Sequence, residues 1–248
     1  MSAVLPGISA RRREHAFFTT MALLMALSVF AGFARTFYLR AWFPEMRPMA
    51  APEPVFYVHG VLFTLWPVLL AAQALLVNRG SVGLHRRLGA GGAVLAGAMV
   101  VFGLYVGLVA ANRPGGFIGV PEPPLQFLIV PVTSILFFGL LVALAVILRR
   151  DPQAHKRLML LGTANMLEAA GARLPLPSLG EAGPPLGFFL PTLFVLALAA
   201  WDMASRRRLH PATLWAGLLT IIALPLRPVI AGTEAWMSLA KWLTGLVV

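Results

Sequence analysis

Apolar runs of about twenty residues, each closed by arginines or by prolines, recur along this chain, and no other feature restricts its fold as much. Such a run wound as a helix crosses a hydrocarbon core of about 30 Å. Lipid offers no partners to backbone N–H and C=O groups, so runs of this kind must be helical. The amino-acid content agrees: 59% of residues are hydrophobic and only 12% are charged, against roughly 25% charged for a soluble chain. Little sequence remains for a soluble unit. The 248 residues are therefore expected to form a single integral membrane domain, an all-α polytopic helical bundle.

Seven transmembrane helices are expected, at about 17–39, 55–77, 88–111, 125–148, 157–173, 186–204 and 211–230. An amphipathic tail at 234–248 follows, in which Trp236, Leu239, Leu243 and Leu246 recur at near-helical spacing and suit a membrane surface. Proline-rich stretches, Pro44 to Pro54, Pro114 to Pro124 and Pro175 to Pro185, punctuate one side of this pattern. The first apolar run, behind Arg11, Arg12 and Arg13, is longer than the roughly 7–15 residues of a signal-peptide core, so it reads as a retained span. The fifth run is short and unusually polar.

The charge pattern orients the helices. Of the 20 lysines and arginines, the 13 at Arg11–Arg13, Arg79, Arg86, Arg87, Arg149, Arg150, Lys156, Arg157 and Arg206–Arg208 lie in the N-terminal segment or in alternate loops. Under the positive-inside rule those loops and the N-terminus are cytoplasmic, and the proline-rich loops and the C-terminus periplasmic. The expected location is the inner membrane of a bacterium. Clusters of arginine between apolar spans also meet anionic lipid headgroups, so the net charge of +11 points to membrane lipids and not to nucleic acid.

The chain has no cysteine. That removes iron–sulfur clusters, covalently attached c-type haem, thiolate zinc and a cysteine nucleophile. No phosphate-cradling loop, HExxH pair or Gly-x-Ser-x-Gly elbow is present. Lys156 and Lys241 are the only lysines and neither lies within an expected span, which disfavours a retinal Schiff base.

Polar groups inside a bilayer are costly and face a bundle interior, so the few present carry weight. Arg35, His59, Gln126, Glu168, Arg173 and Arg227 fall in the outer half of their helices and are expected to line a basic ligand pocket open to the outside. His59, Phe63, Trp66, Leu70 and Gln73 form one stripe, which must face protein. Glu168 requires a proton or a cationic partner, with Arg35 the first choice by depth and His59, Arg173 and Arg227 the others. At the inner end His85 and His155 stand at comparable depth. Two imidazoles there suit axial ligation of a b-type haem, with Arg86, Arg87, Lys156 and Arg157 beside its propionates, or a divalent metal. Each polar residue has a structural alternative as glue between helices.

His85-Arg86-Arg87-Leu88 and His155-Lys156-Arg157-Leu158 read as a weak internal repeat. With Phe30 to Arg40, His59-Gly60, Phe63 to Trp66, Gln73, Gly89 and Met159, they make the chain similar, over about 150 residues, to a bacterial family of uncharacterised multi-pass membrane proteins, from which no activity follows. Histidines at helix ends resemble, more weakly, cytochrome b561-like and oxidase-assembly membrane proteins, although the four-histidine, two-layer pattern of the former is not met. Three functional readings follow. The chain is a membrane redox or assembly protein binding haem, metal or quinone at His85, His155 and His59. Alternatively it is a non-catalytic accessory subunit packed against other subunits of a membrane complex. The third reading is a transporter or lipid-headgroup binder.

Overall fold

Proline at the first helical turn starts several of the helices seen in the computed structural model, which describes residues 6–43, 53–174 and 189–247. The described residues are helical and turn structure throughout, without strands. Helix α1 (Pro6–Phe33) continues as a π-helix, Ala34–Tyr38. Then come α2 (Pro54–Asn78), α3 (Val82–Asn112), α4 (Pro124–Phe127), α5 (Ile129–Ile147), α6 (Pro152–Ala164) and α7 (Glu168–Gly171). The last three are α8 (Leu190–Arg206), α9 (Pro211–Ala231) and α10 (Glu234–Thr244).

Five stretches are long and apolar enough to cross a membrane: Ala10–Tyr38, Pro54–Asn78, Val82–Asn112, Pro124–Ile147 and Pro211–Ala231. The protein is thus a multi-pass membrane protein built as a helical bundle. The other two stretches read as spans take a different form. The fifth is two helices, α6 and α7, and the sixth is the 17-residue α8, whose expected start lies outside the described residues.

The polarity of the fifth stretch has a structural cause. Helix α6 is the hub of the bundle, packed against α1, α5, α8 and α9, and its residues Leu160 to Asn165 are all buried. A helix enclosed by protein on every side needs no lipid-facing stripe. Met25, Ala145, Leu161, Ala164, Leu167, Leu198 and Ala216 form the apolar part of its surroundings. Between α6 and α7 the helix tightens into a 3-10 turn, where the N–H groups of Met166 and Leu167 donate to the carbonyls of Thr163 and Ala164, both at 3.0 Å. By contrast α9 runs unbroken through Pro225 and Pro228.

Glycines permit several close approaches between helices. A side chain at Gly32 would run into the Ala170 carbonyl oxygen, which brings α1 directly onto α7, and the Phe63 ring sits 2.9 Å from where a Gly103 Cβ would be. The tail helix α10 is docked by one face: Trp236 Nε1 donates to the Leu125 carbonyl at 2.8 Å, and Asn112 Nδ2 donates to the Thr244 carbonyl at 2.8 Å. Its other face leaves Leu239, Trp242 and Leu246 exposed, as a helix at a membrane surface requires.

Candidate functional site

Helix α9 carries Thr213, Thr220 and Arg227 seven residues apart, all buried and all turned to the hub. Their partners lie on α8, at the end of α6 and on α7 respectively. At the arginine-rich end, Arg157 of α6 lies fully enclosed against Asp202 of α8, its Nε donating to Asp202 Oδ1 at 3.1 Å and its Nη2 paired with the same oxygen. Thr213 Oγ1 and the His210 backbone N–H donate to Asp202 Oδ2, at 2.6 and 3.0 Å. In the middle Asn165 Nδ2 donates to Thr220 Oγ1 at 2.9 Å, while Trp66 Nε1 reaches Thr163 Oγ1 at 2.9 Å from the other side of the hub. At the proline-rich end Arg227 Nη1 donates to both oxygens of Glu168 at 2.6 Å, and Ser134 Oγ accepts from Arg227 Nη2 at 3.1 Å. At a rise of ~1.5 Å per residue, the two ion pairs stand about 16 Å apart along the hub.

This ladder divides the residues that the sequence grouped in one pocket. Glu168 is bound by Arg227, not by Arg35, because α7 faces α9 through the same side that Asn165 presents to Thr220. Arg35 lies in the π-helix with its guanidinium 5.5 Å from the Phe43 ring centroid. Arg173 turns away from Glu168. Its Nη1 donates to the Ala169 carbonyl at 2.8 Å, and its guanidinium covers the Phe33 ring at 5.1 Å. His59 stands over Phe63, ring centroids 3.9 Å apart, and its buried Nδ1 has no hydrogen-bond partner. Gln126 is half-buried on α4. The result is a closed triad of Glu168, Arg227 and Ser134, with His59, Arg35 and Arg173 outside it.

At the arginine-rich end the structure brings together what the sequence had only at equal depth. The His85 and His155 rings, from α3 and α6, have centroids 6.3 Å apart and planes at 89°. The His155 Nδ1 is 2.8 Å from the Ala145 carbonyl, so that nitrogen carries the proton and Nε2 keeps its lone pair. His85 Nδ1 and Gln73 Oε1 are both buried without a hydrogen-bond partner. Gln73, on α2, packs against the same face of α3, its Nε2 3.6 Å from the Cβ position of Gly89, one turn on from His85. Lys156 and Arg157, expected near a ligand here, are instead taken up by Glu14 and Asp202, while Arg86 and Arg87 are exposed. Among the described residues no three His, Asp or Glu side chains converge as a metal cluster.

Sequence reasoning passed over Glu14, Ser134, Asp202, Thr213 and Thr220. The seven-residue spacing of Thr213, Thr220 and Arg227 was the available signal for the last two. Asp202 falls inside the expected span 186–204, close to the arginines that end it, and was not singled out there. Compared with models of known protein families, with curated proteins and with solved structures, the chain matches none.

Proposed function

We propose that this chain is a redox or assembly protein of the bacterial inner membrane that binds a haem iron between His85 and His155. The observation that carries the reading is the geometry of that pair. Two imidazoles bound on opposite sides of one metal, at ~2.0–2.1 Å from each nitrogen, have ring centroids roughly 6 Å apart, and these stand at 6.3 Å. Metal-ligating histidines are typically held through the other ring nitrogen by a carbonyl, the role that Ala145 takes toward His155. A buried imidazole nitrogen and a buried amide oxygen, both without a donor, favour a cationic centre over a quinone, whose carbonyls only accept. With two imidazoles and no third His, Asp or Glu converging on them among the described residues, the centre should bring its remaining ligands with it, as a porphyrin does. Arg86 and Arg87 are then the free cations for the propionates.

In this reading the chain crosses seven times, with α6–α7 and α8 completing the five long spans, and the arginine-rich end is cytoplasmic. A reporter fused after Val248 should read as periplasmic and one inserted after Arg150 as cytoplasmic, and the reverse pattern would refute this topology. The cofactor claim is tested by the visible spectrum and metal content of the purified protein before and after haem is added. A low-spin bis-imidazole spectrum, lost in His85→Ala and in His155→Ala, is the expected result. Folded protein that is colourless, free of metal and unable to take up haem would overturn it.

A further inference from the structure

Helices α3 and α5 pack together, and on their outer side they meet through residues with little or no side chain. Ala93, Gly97 and Val100 recur at i, i+4 and i+7 on α3, and Gly139, Ala143 and Ile147 at four-residue steps on α5, so each set holds one helix face. Between them lies an apolar groove of about 340 Å³. Helix packing accounts for only one of its two glycines. A methyl at Gly139 would meet Val100 Cγ2 at 2.7 Å, whereas no atom stands within 4 Å of the Cβ position of Gly97, so the space in front of Gly97 is open. Spread over the roughly 11 Å that seven or eight helical residues span, the volume corresponds to a cross-section of about 30 Å². An α-helix 10–12 Å across fills about 80–110 Å². The groove therefore has the width of a single hydrocarbon chain. Its lining offers no side chain that donates or accepts a hydrogen bond, and a groove left unfilled in lipid would forfeit dispersion contacts along its whole length.

Charge marks one end of the groove. Arg149 Nη1 donates at 3.1 Å to the carbonyl of Val146, a lining residue, and Arg150 follows it in the chain. Both arginines are exposed, and neither makes an ion pair among the described residues. The neighbouring Asp151 carboxylate does not neutralise them by pairing, because it is engaged by the N–H groups of Gln153 and Ala154. We propose that the groove between α3 and α5 holds one acyl chain of an anionic phospholipid whose phosphate lies against Arg149 and Arg150. The chain fills the apolar length, and the guanidinium groups give the phosphate charge-assisted hydrogen bonds. A zwitterionic lipid offers the same chain and phosphate but carries its own cation, so the two arginines select for net negative charge. The site gives a definite place to the anionic lipid that the arginine clusters imply. It does not depend on which membrane face the arginine-rich end meets, nor on haem at the histidine pair.

The test uses the full chain purified in neutral detergent, stripped of lipid and titrated with dioleoyl phosphatidylglycerol or dioleoyl phosphatidylcholine, with bound lipid and oligomeric state read by native mass spectrometry. One molecule of phosphatidylglycerol should be retained in preference to phosphatidylcholine. Gly97→Leu fills the groove without striking another residue and should weaken that retention about tenfold, the scale of about two displaced methylene groups, while leaving thermal unfolding no lower than in the parent. Arg149→Gln combined with Arg150→Gln should lower the affinity for phosphatidylglycerol roughly thirtyfold, two surface cations at their ordinary strength, and leave phosphatidylcholine unchanged. Should that double variant fail to accumulate, Gly97→Leu decides alone. The proposal is overturned if both lipids bind equally, or if Gly97→Leu retains phosphatidylglycerol as tightly as the parent. It is overturned equally if the lipid-free chain is a dimer that Gly97→Leu dissociates, since the groove then receives a helix of a second copy.

Discussion

Replacing Glu168 by Gln should destabilise the bundle by about 3 kcal/mol, because it removes the counter-charge of a buried arginine and changes little else. Glu168 and Arg227 are each only 4% exposed. Breaking such a pair from one side costs about 3–5 kcal/mol, and a charged side chain at a helix centre costs about 2.5–3.5 kcal/mol on insertion scales. Glutamine keeps one oxygen for Arg227 Nη1, and Ser134 still accepts from Nη2, so the lower end of both ranges applies. The assay is reversible unfolding in mixed detergent followed by circular dichroism, run as a double-mutant cycle with Arg227→Met. The double variant should be less destabilised than the sum of the two single variants by about 2 kcal/mol. A Glu168→Gln protein within about 0.5 kcal/mol of the parent, or an additive cycle, would show that the carboxyl is not the anion that Arg227 relies on.

Three further outcomes follow from named contacts. Asp202→Asn strands the fully enclosed Arg157 and should cost about 3 kcal/mol or more in the same assay, while Asp202→Asn combined with Arg157→Met should recover most of it. Gly32→Ala forces a methyl into the Ala170 carbonyl and should cost about 1–3 kcal/mol by prising α1 from α7, whereas Gly91→Ala, with open space around it, should be neutral in thermal unfolding. Asp151 caps α6 by accepting from the N–H groups of Gln153 and Ala154 at 2.8 and 3.2 Å, and the Ala154 N–H foremost holds its carboxyl below the usual value. Its contribution is present above the unfolded carboxyl pKa of about 3.9 and fades as pH falls through the lower folded value. Asp151→Ala should therefore cost about 1 kcal/mol at neutral pH, with a smaller difference from the parent in acid, measured by unfolding at both.

The sequence by itself determined the class of fold and the ends of most helices. Apolar run length in lipid admits one backbone solution, and the starts expected at about 55, 125 and 211 agree with helices that begin at Pro54, Pro124 and Pro211, whereas the fifth begins at Pro152, five residues before the expected 157. It also showed that Glu168 needed a partner, since the cost of an isolated charge in hydrocarbon does not depend on its neighbours. Which partner was a matter of how helices rotate and cross. Depth along an axis ranked Arg35 first, but the rotation that places Asn165 against Thr220 also turns Glu168 toward Arg227. The hub role of α6 was equally hidden, because a short polar run looks like a weak span until its neighbours enclose it. Only the tertiary structure brought His85 within 6.3 Å of His155 and split the expected pocket in two. Run length and hydropathy are properties of one segment, and a pair of side chains from two helices is fixed by the packing of all the others.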